Sequence, residues 1–140
     1  MENEKASESA QLKSKHLLAE EELTSKIIGC ALKVHTALGP GLLESAYLEC
    51  LNFEIRQSGM EVRKQVAMPL IYNAVEMDLG YRVDLLVENK IILELKTVEK
   101  INDVHLAQLL TYMKLAKSRV GLLLNFHVRH MREGIKRVVL

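Results

Sequence analysis

Asp84, Glu94 and Lys96 are the residues of this chain whose types and spacing could do chemistry. They stand in Asp84-Leu-Leu-Val-Glu-Asn-Lys-Ile-Ile-Leu-Glu94-Leu-Lys96, where nearly everything outside the triplet Glu88-Asn89-Lys90 is Val, Leu or Ile. Strand side chains alternate between faces. The odd positions Val83, Leu85, Val87, Ile91, Leu93 and Leu95 therefore form one wholly apolar face. Asp84, Glu94 and Lys96 fall on the other, with Arg82, Leu86, Glu88 and Ile92. Both strands keep this alternation only if Asp84 lies opposite Glu94, which requires an odd-length turn or a bulge at residues 88–90. A slip of one residue would drive both carboxylates into the core. In the aligned register their Cβ atoms stand roughly 5 Å apart. Two carboxylates that close repel each other unless a proton or a cation lies between them, and a hard divalent cation suits carboxylate oxygens. The alternative is a pair of solvent-exposed acids ion-paired to Arg82 and Lys96.

Asp84 followed by Glu94-Leu95-Lys96 resembles the D-x(n)-E-x-K core of the PD-(D/E)XK nuclease superfamily. Upstream, Leu-Gly-Pro-Gly-Leu-Leu-Glu-Ser-Ala-Tyr (38–47) resembles the signature of the GxxExxY family within it, here Gly41, Glu44 and Tyr47. Downstream, Gln108-Leu-Leu-Thr-Tyr112 is similar to the Q-x-x-x-Y motif that several of these nucleases carry after E-x-K. The motifs occur in the expected order, and the resemblance covers about residues 24–140. It implies an α/β, restriction-endonuclease-like core with a mixed central sheet flanked by helices. It also implies Mg²⁺ or Mn²⁺ held by Asp84, Glu94, the main-chain carbonyl of Leu95 and Glu44. Lys96 would orient the attacking water or stabilise charge on the phosphorus centre, while Gln108 and Tyr112 would position the water or the phosphate. The implied substrate is nucleic acid, DNA in preference to RNA.

Each of the supporting residues also has a purely structural reading. Glu44 falls in the first turn of a helix, where a carboxylate is favoured by the helix dipole alone. Tyr47 shares its helix face and either hydrogen-bonds a site carboxylate or packs. Gln108 and Tyr112 stand four apart and, with His105, form a polar stripe that needs partners or lies at a solvent-exposed helix edge. His35, among apolar neighbours, reads as a satisfied structural histidine.

The elements that must position these residues are legible from periodicity and breakers. Residues 1–22 are rich in Glu, Lys, Ser and Ala without a persistent apolar stripe, and read as a flexible polar tail, disordered or loosely helical, ahead of a single domain at 23–140. A helix is expected from a cap at Thr24, with Ile27, Ile28, Ala31, Leu32, His35 and Leu38 at helical spacing. It ends at Gly39-Pro40-Gly41. A second helix spans about 42–57. Strands follow at about 61–72, 76–87 and 91–98, the first being an edge strand or broken at Pro69. A helix capped by Asn102 or Asp103 runs to about Lys117. Strands at 120–126 and 135–140 complete the order α-α-β-β-β-α-β-β.

With 140 residues, 49% hydrophobic and 26% charged, the composition is that of one ordinary globular domain. No apolar run is long enough to span a bilayer, and no apolar leader opens the chain. Two cysteines, Cys30 and Cys50, supply neither a disulfide framework, a zinc site nor an iron–sulfur cluster. A cytoplasmic setting is therefore expected. The net charge of +1 hides a gradient. Residues 1–22 carry six acids against three bases, whereas from Lys114 onward seven Lys and Arg face Glu133 alone. That end could meet a phosphate backbone or be a solvated basic face. The aromatic residues are not interleaved with the basic ones, so no single-strand stacking platform is expected. The rival to a nuclease is a non-catalytic module of the same fold, a nucleic-acid-binding subunit or a homodimer pairing through the hairpin region 61–87.

Overall fold

The computed structural model describes the backbone of residues 2–140 and the side chains of residues 19–140. Helices α1 (Glu2–Leu38) and α2 (Glu44–Gln57) are followed by strands β1 (Val62–Ala67), β2 (Leu70–Tyr72), β3 (Val75–Met77), β4 (Arg82–Val87) and β5 (Ile91–Lys96). Helix α3 (Asp103–Ala116), strand β6 (Val120–Asn125), a 3-10 turn (Met131–Gly134) and strand β7 (Ile135–Val139) complete the chain. Five strands form one mixed sheet in the order β1-β4-β5-β6-β7, in which only β5 and β6 run parallel. The α/β class, the mixed sheet and the element order are those expected from the sequence.

Two apolar layers hold the sheet between its helices. On one face Leu85, Leu93, Leu95, Leu122 and Leu124 pack against Ile27, Ala31, Tyr47, Leu51 and Ile55 of α1 and α2. On the other, Leu86, Ile92 and Leu123 meet Leu109, Tyr112 and Met113 of α3. Buried on both sides, β6 is a continuous apolar run ending in Asn125, as a central strand must be. Gly121 lies beneath α3 because a Cβ there would come within 2.7 Å of Met113 Sδ and 2.9 Å of Leu109 Cδ1. The missing side chain sets how closely α3, and with it Gln108 and Tyr112, can approach the sheet.

Three local expectations are revised and one is met. The helix expected to begin at Thr24 is continuous from Glu2, and Thr24 Oγ1 donates to the Glu20 carbonyl one turn back (2.7 Å) instead of capping. The side chains of the tail expected at residues 1–22 lie, up to residue 18, outside the described residues. The expected strand at 61–72 is divided at Met68-Pro69, the expected break. The expected strand at 76–87 is divided at 78–81, where Gly80 takes a φ of 78°. The freed segments β2 and β3 pair with each other as a separate hairpin. Val83, expected on the face of Leu85, instead joins the cluster beneath α3. Its change of side coincides with Gln65 of the paired strand, whose φ of 52° interrupts β1 between the pairs Lys64–Leu85 and Val66–Val83.

Candidate active site

The register that the carboxylates require is present. β4 and β5 pair through Val87–Ile91, Leu86–Ile92 and Leu85–Leu93, so the next residues in line are Asp84 and Glu94. The turn supplies the odd residue. Glu88 and Asn89 take φ values of 53° and 52°, Lys90 N–H closes on the Val87 carbonyl at 2.9 Å, and Lys90 is left over before Ile91. Beyond Leu85–Leu93 the ladder gives way to side chains. Asp84 N–H donates to Glu94 Oε1 (3.2 Å), and Leu95 N–H donates to Asp84 Oδ2 (2.8 Å). Each carboxylate is thus tethered to the opposite strand through one oxygen, and the two side chains lie close enough to share a hydrogen bond.

Burial and proximity act together on this pair. Glu94 is only 5% exposed. Its carboxyl is pushed up to about 8, by burial first and then by the negative charge of Asp84. Burial likewise raises Asp84, partly offset by the bond from Leu95 N–H. Removal from water and a like charge both disfavour the ionised form. The alternative of two exposed acids neutralised by Arg82 and Lys96 does not describe this site. Among the described residues neither base forms an ion pair within 4.0 Å, and Glu94 is buried.

Lys96 turns instead to α3. Its Nζ donates to Gln108 Oε1 (3.4 Å), and Gln108 Nε2 donates to Tyr112 Oη (3.2 Å). The Tyr112 hydroxyl is raised by burial and then by the charge of Glu94, which places it within electrostatic reach of the acid pair. With its oxygen accepting from Gln108, the Tyr112 proton is free to be donated elsewhere. Beyond Gln108 and Tyr112 the site opens into a cavity of about 440 Å³ walled by Leu70, Tyr81, Val104 and Thr111. The Tyr81 and Tyr112 rings meet edge to face at 6.3 Å.

Glu44 begins α2 and is raised by burial and then by the charge of Asp84, while Lys96 lowers it. It therefore faces the same site from the opposite helical layer. Among the described residues, no three His, Cys, Asp or Glu side chains form a group that could hold a metal ion. Glu44 accordingly stands at the rim of the pair and is not gathered into a three-carboxylate cluster. The donors that remain, the two carboxylates of Asp84 and Glu94, are of the kind a hard divalent cation takes. They are oxygens only, and a cation would relieve the repulsion that burial intensifies.

Tyr47 and His105, which the sequence offered as candidates, are structural, and so is His35, as expected. Tyr47 does not reach a carboxylate: its hydroxyl donates to the Gly39 carbonyl (2.5 Å) and accepts from Leu42 N–H (3.2 Å), and its ring stacks on Phe126 at 4.6 Å. It fixes the turn that delivers Glu44. His105 completes the cap of α3, accepting from Asn102 N–H on Nδ1 while its own N–H donates to Asn102 Oδ1. His35 bonds the Val128 carbonyl through Nε2 (2.8 Å).

Asn125 is the positioning residue that the sequence reading missed. Its side chain is 2% exposed and exchanges hydrogen bonds with Val98, accepting from N–H (3.1 Å) and donating to the carbonyl (2.8 Å), while His127 N–H also reaches Oδ1 (3.2 Å). It pins the segment leaving Lys96 to the end of β6, where Lys96 and Asn125 are register partners. The signal was a lone amide closing an otherwise apolar buried strand.

No curated protein and no solved structure matches this chain. A model of the PD-(D/E)XK nuclease superfamily matches residues 21–138, a span that holds the crossed Asp84–Glu94 tethers, Lys96, the Gln108–Tyr112 pair and Glu44. On that match, over most of its length, the chain belongs to the PD-(D/E)XK nuclease superfamily.

Proposed function

We propose that this protein is a divalent-cation-dependent nuclease of the GxxExxY type, hydrolysing phosphodiester bonds of nucleic acid, with DNA the preferred substrate. The observation that carries the reading is the replacement of the β4–β5 ladder by one buried and one half-buried carboxylate, Glu94 and Asp84, with Lys96 held beside them by Gln108. Superfamily members generally use divalent metals. Bound by Asp84, Glu94 and the Leu95 carbonyl, Mg²⁺ or Mn²⁺ would supply Lewis-acid stabilisation of the phosphate and a more acidic water. The chain itself does the rest. Its two tethered carboxylates are fixed before any ligand arrives, so little ordering cost falls on binding. Lys96 presents a positive charge toward the phosphorus centre, where it is worth more as negative charge develops. Tyr112 offers its free proton to a phosphate oxygen or to the attacking water. Glu44, its carboxyl raised by burial and then by the charge of Asp84, orients water on the α2 side. A cytoplasmic setting, with Cys30 and Cys50 as free thiols, belongs to the same reading.

The test is cleavage of single- and double-stranded DNA and RNA with Mg²⁺ or Mn²⁺, against a chelator control. Cleavage should require the cation and disappear in Asp84→Asn and Lys96→Ala proteins that remain folded. Cleavage that persists in Asp84→Asn, or in chelator, contradicts the assignment.

One observation favours a second reading, self-association. The β2–β3 hairpin and its exit expose Ile71, Tyr72, Val75, Leu79 and Tyr81, each at least 44% accessible, and an exposed apolar patch is a common mark of an interface. Sedimentation equilibrium should then show a dimer that Ile71→Glu with Val75→Glu converts to monomer. A monomeric wild-type protein contradicts it.

A further inference from the structure

A second cavity, of about 460 Å³, lies between the end of α1 and the loop that follows β6. Its walls include Arg129, His130, Arg132, His35, Gly39 and Pro40, and none of its lining residues is acidic. Among the described residues Arg129 and Arg132 form no ion pair; the pairs present are Lys33–Glu54, Lys64–Glu49 and Arg137–Glu21. His35 is committed through Nε2 to the Val128 carbonyl, so it holds the wall in place, and the two exposed guanidinium groups carry the charge.

The cavity is fixed to the carboxylate site by a short rigid path. Phe126, which opens the loop, donates its N–H to the Lys96 carbonyl (2.9 Å). The Phe126 ring stacks on Tyr47, and Tyr47 holds the Gly39 turn that leads into Glu44. Both walls of the basic cavity are therefore anchored to the same end of β5 and β6 from which Lys96 projects. We propose that Arg129 and Arg132 form a phosphate subsite for the nucleic-acid strand, engaging a backbone phosphate other than the one cleaved. Guanidinium forks match phosphate oxygens bidentately, and a phosphate held there orients the strand without reading its sequence. The subsite rests on the nuclease reading for its substrate, but it is a binding claim and stands apart from catalysis.

The experiment measures anisotropy of a short fluorescein-labelled DNA, as single strand and as duplex, in chelator, so that no cleavage intervenes. Arg129→Ala with Arg132→Ala should weaken binding by about tenfold or more at low salt. It should also lower the slope of log affinity against log salt by about one to two. Lys26→Ala with Lys90→Ala removes the same charge at the far end of β5, where those lysines line a separate cavity, and should leave the slope unchanged. Arg129→Lys with Arg132→Lys should restore the slope, because a point charge still releases counterions. A wild-type slope in the double alanine protein, an equal loss in the Lys26/Lys90 control, or no binding by wild type overturns the subsite. Metal-dependent cleavage by wild type alongside any of these results would leave the nuclease assignment standing. Binding that depends on the arginines in a protein that cuts nothing would instead sink the nuclease and keep the subsite.

Discussion

At the scale of single residues, the chemistry depends on a balance that Asp84 and Glu94 hold only in the folded chain. Glu94 is raised to about 8 from an ordinary 4.5, by burial and then by Asp84, and Asp84 and Glu44 are displaced in the same direction. The folded protein therefore retains a proton that the unfolded chain releases above its ordinary carboxylate range. Without cation, this contribution to stability is full below about pH 4.5 and is lost as the pH rises toward 8. Denaturant titrations in chelator should show stability falling across that window, Glu94→Gln should flatten the fall, and Mg²⁺ should oppose it by binding the ionised pair. A flat profile in the wild type would refute this electrostatic account. Lys96→Ala should cost about a hundredfold or more in cleavage rate, the scale of a lost transition-state contact. Tyr112→Phe should cost less, about tenfold, because the neighbouring Lys96 remains. The facing of Asp84 and Glu94 was legible in the sequence because only one register keeps Leu85, Val87, Ile91, Leu93 and Leu95 on one face. The bond from Tyr47 to Gly39 was not, since it depends on how a turn folds back over the helix it precedes.

At the scale of elements, two glycines and one amide decide how precisely the site is held. A Cβ at Gly134 would lie 2.0 Å from the Asn125 carbonyl oxygen, a backbone atom that cannot move without shifting the end of β6. Gly134→Ala should therefore destabilise the fold by about 3 kcal/mol or more, whereas Gly121→Ala, which meets the flexible ends of Met113 and Leu109, should cost about 1–3 kcal/mol. Thermal or denaturant unfolding ranks the two, and the reverse order would contradict the packing described. Asn125→Ala removes three hydrogen bonds at a buried position and should lower both stability and cleavage, since the segment after Lys96 loses its anchor. Helix and strand types were readable from period and breakers alone. The departures have local causes: Pro69 and Gly80 divide two long strand stretches, and the change of side at Val83 coincides with the left-handed Gln65 on the paired strand. His105 was placed in a functional stripe because its helical spacing matched Gln108, yet its position three residues after Asn102 made it a cap.

For the whole molecule, three layers converge on one end of the central strands. β4 and β5 bring the acids, α3 brings Gln108 and Tyr112, and α2 brings Glu44 from the opposite face. A cavity walled by Tyr81 and Val104 adjoins Gln108 and Tyr112, and the arginine-lined cavity lies between the end of α1 and the loop after β6. No helix among the described residues is long and apolar enough to cross a membrane. The charge gradient along the chain pointed to its C-terminal third, but only the fold shows that Arg129 and Arg132 line one cavity while Lys114 and Lys117 close α3. Sequence spacing cannot report that, because the cavity is made from a helix end and a loop some ninety residues apart. The claim on which the functional account rests is that the acid pair is a cation site. Calorimetric titration of Mn²⁺ into the purified chain, with Asp84→Asn beside it and with a short oligonucleotide present in a parallel run, tests it directly. The account predicts binding to the wild type that the substitution abolishes. A folded wild-type protein that binds no Mn²⁺, with or without the oligonucleotide, would contradict it.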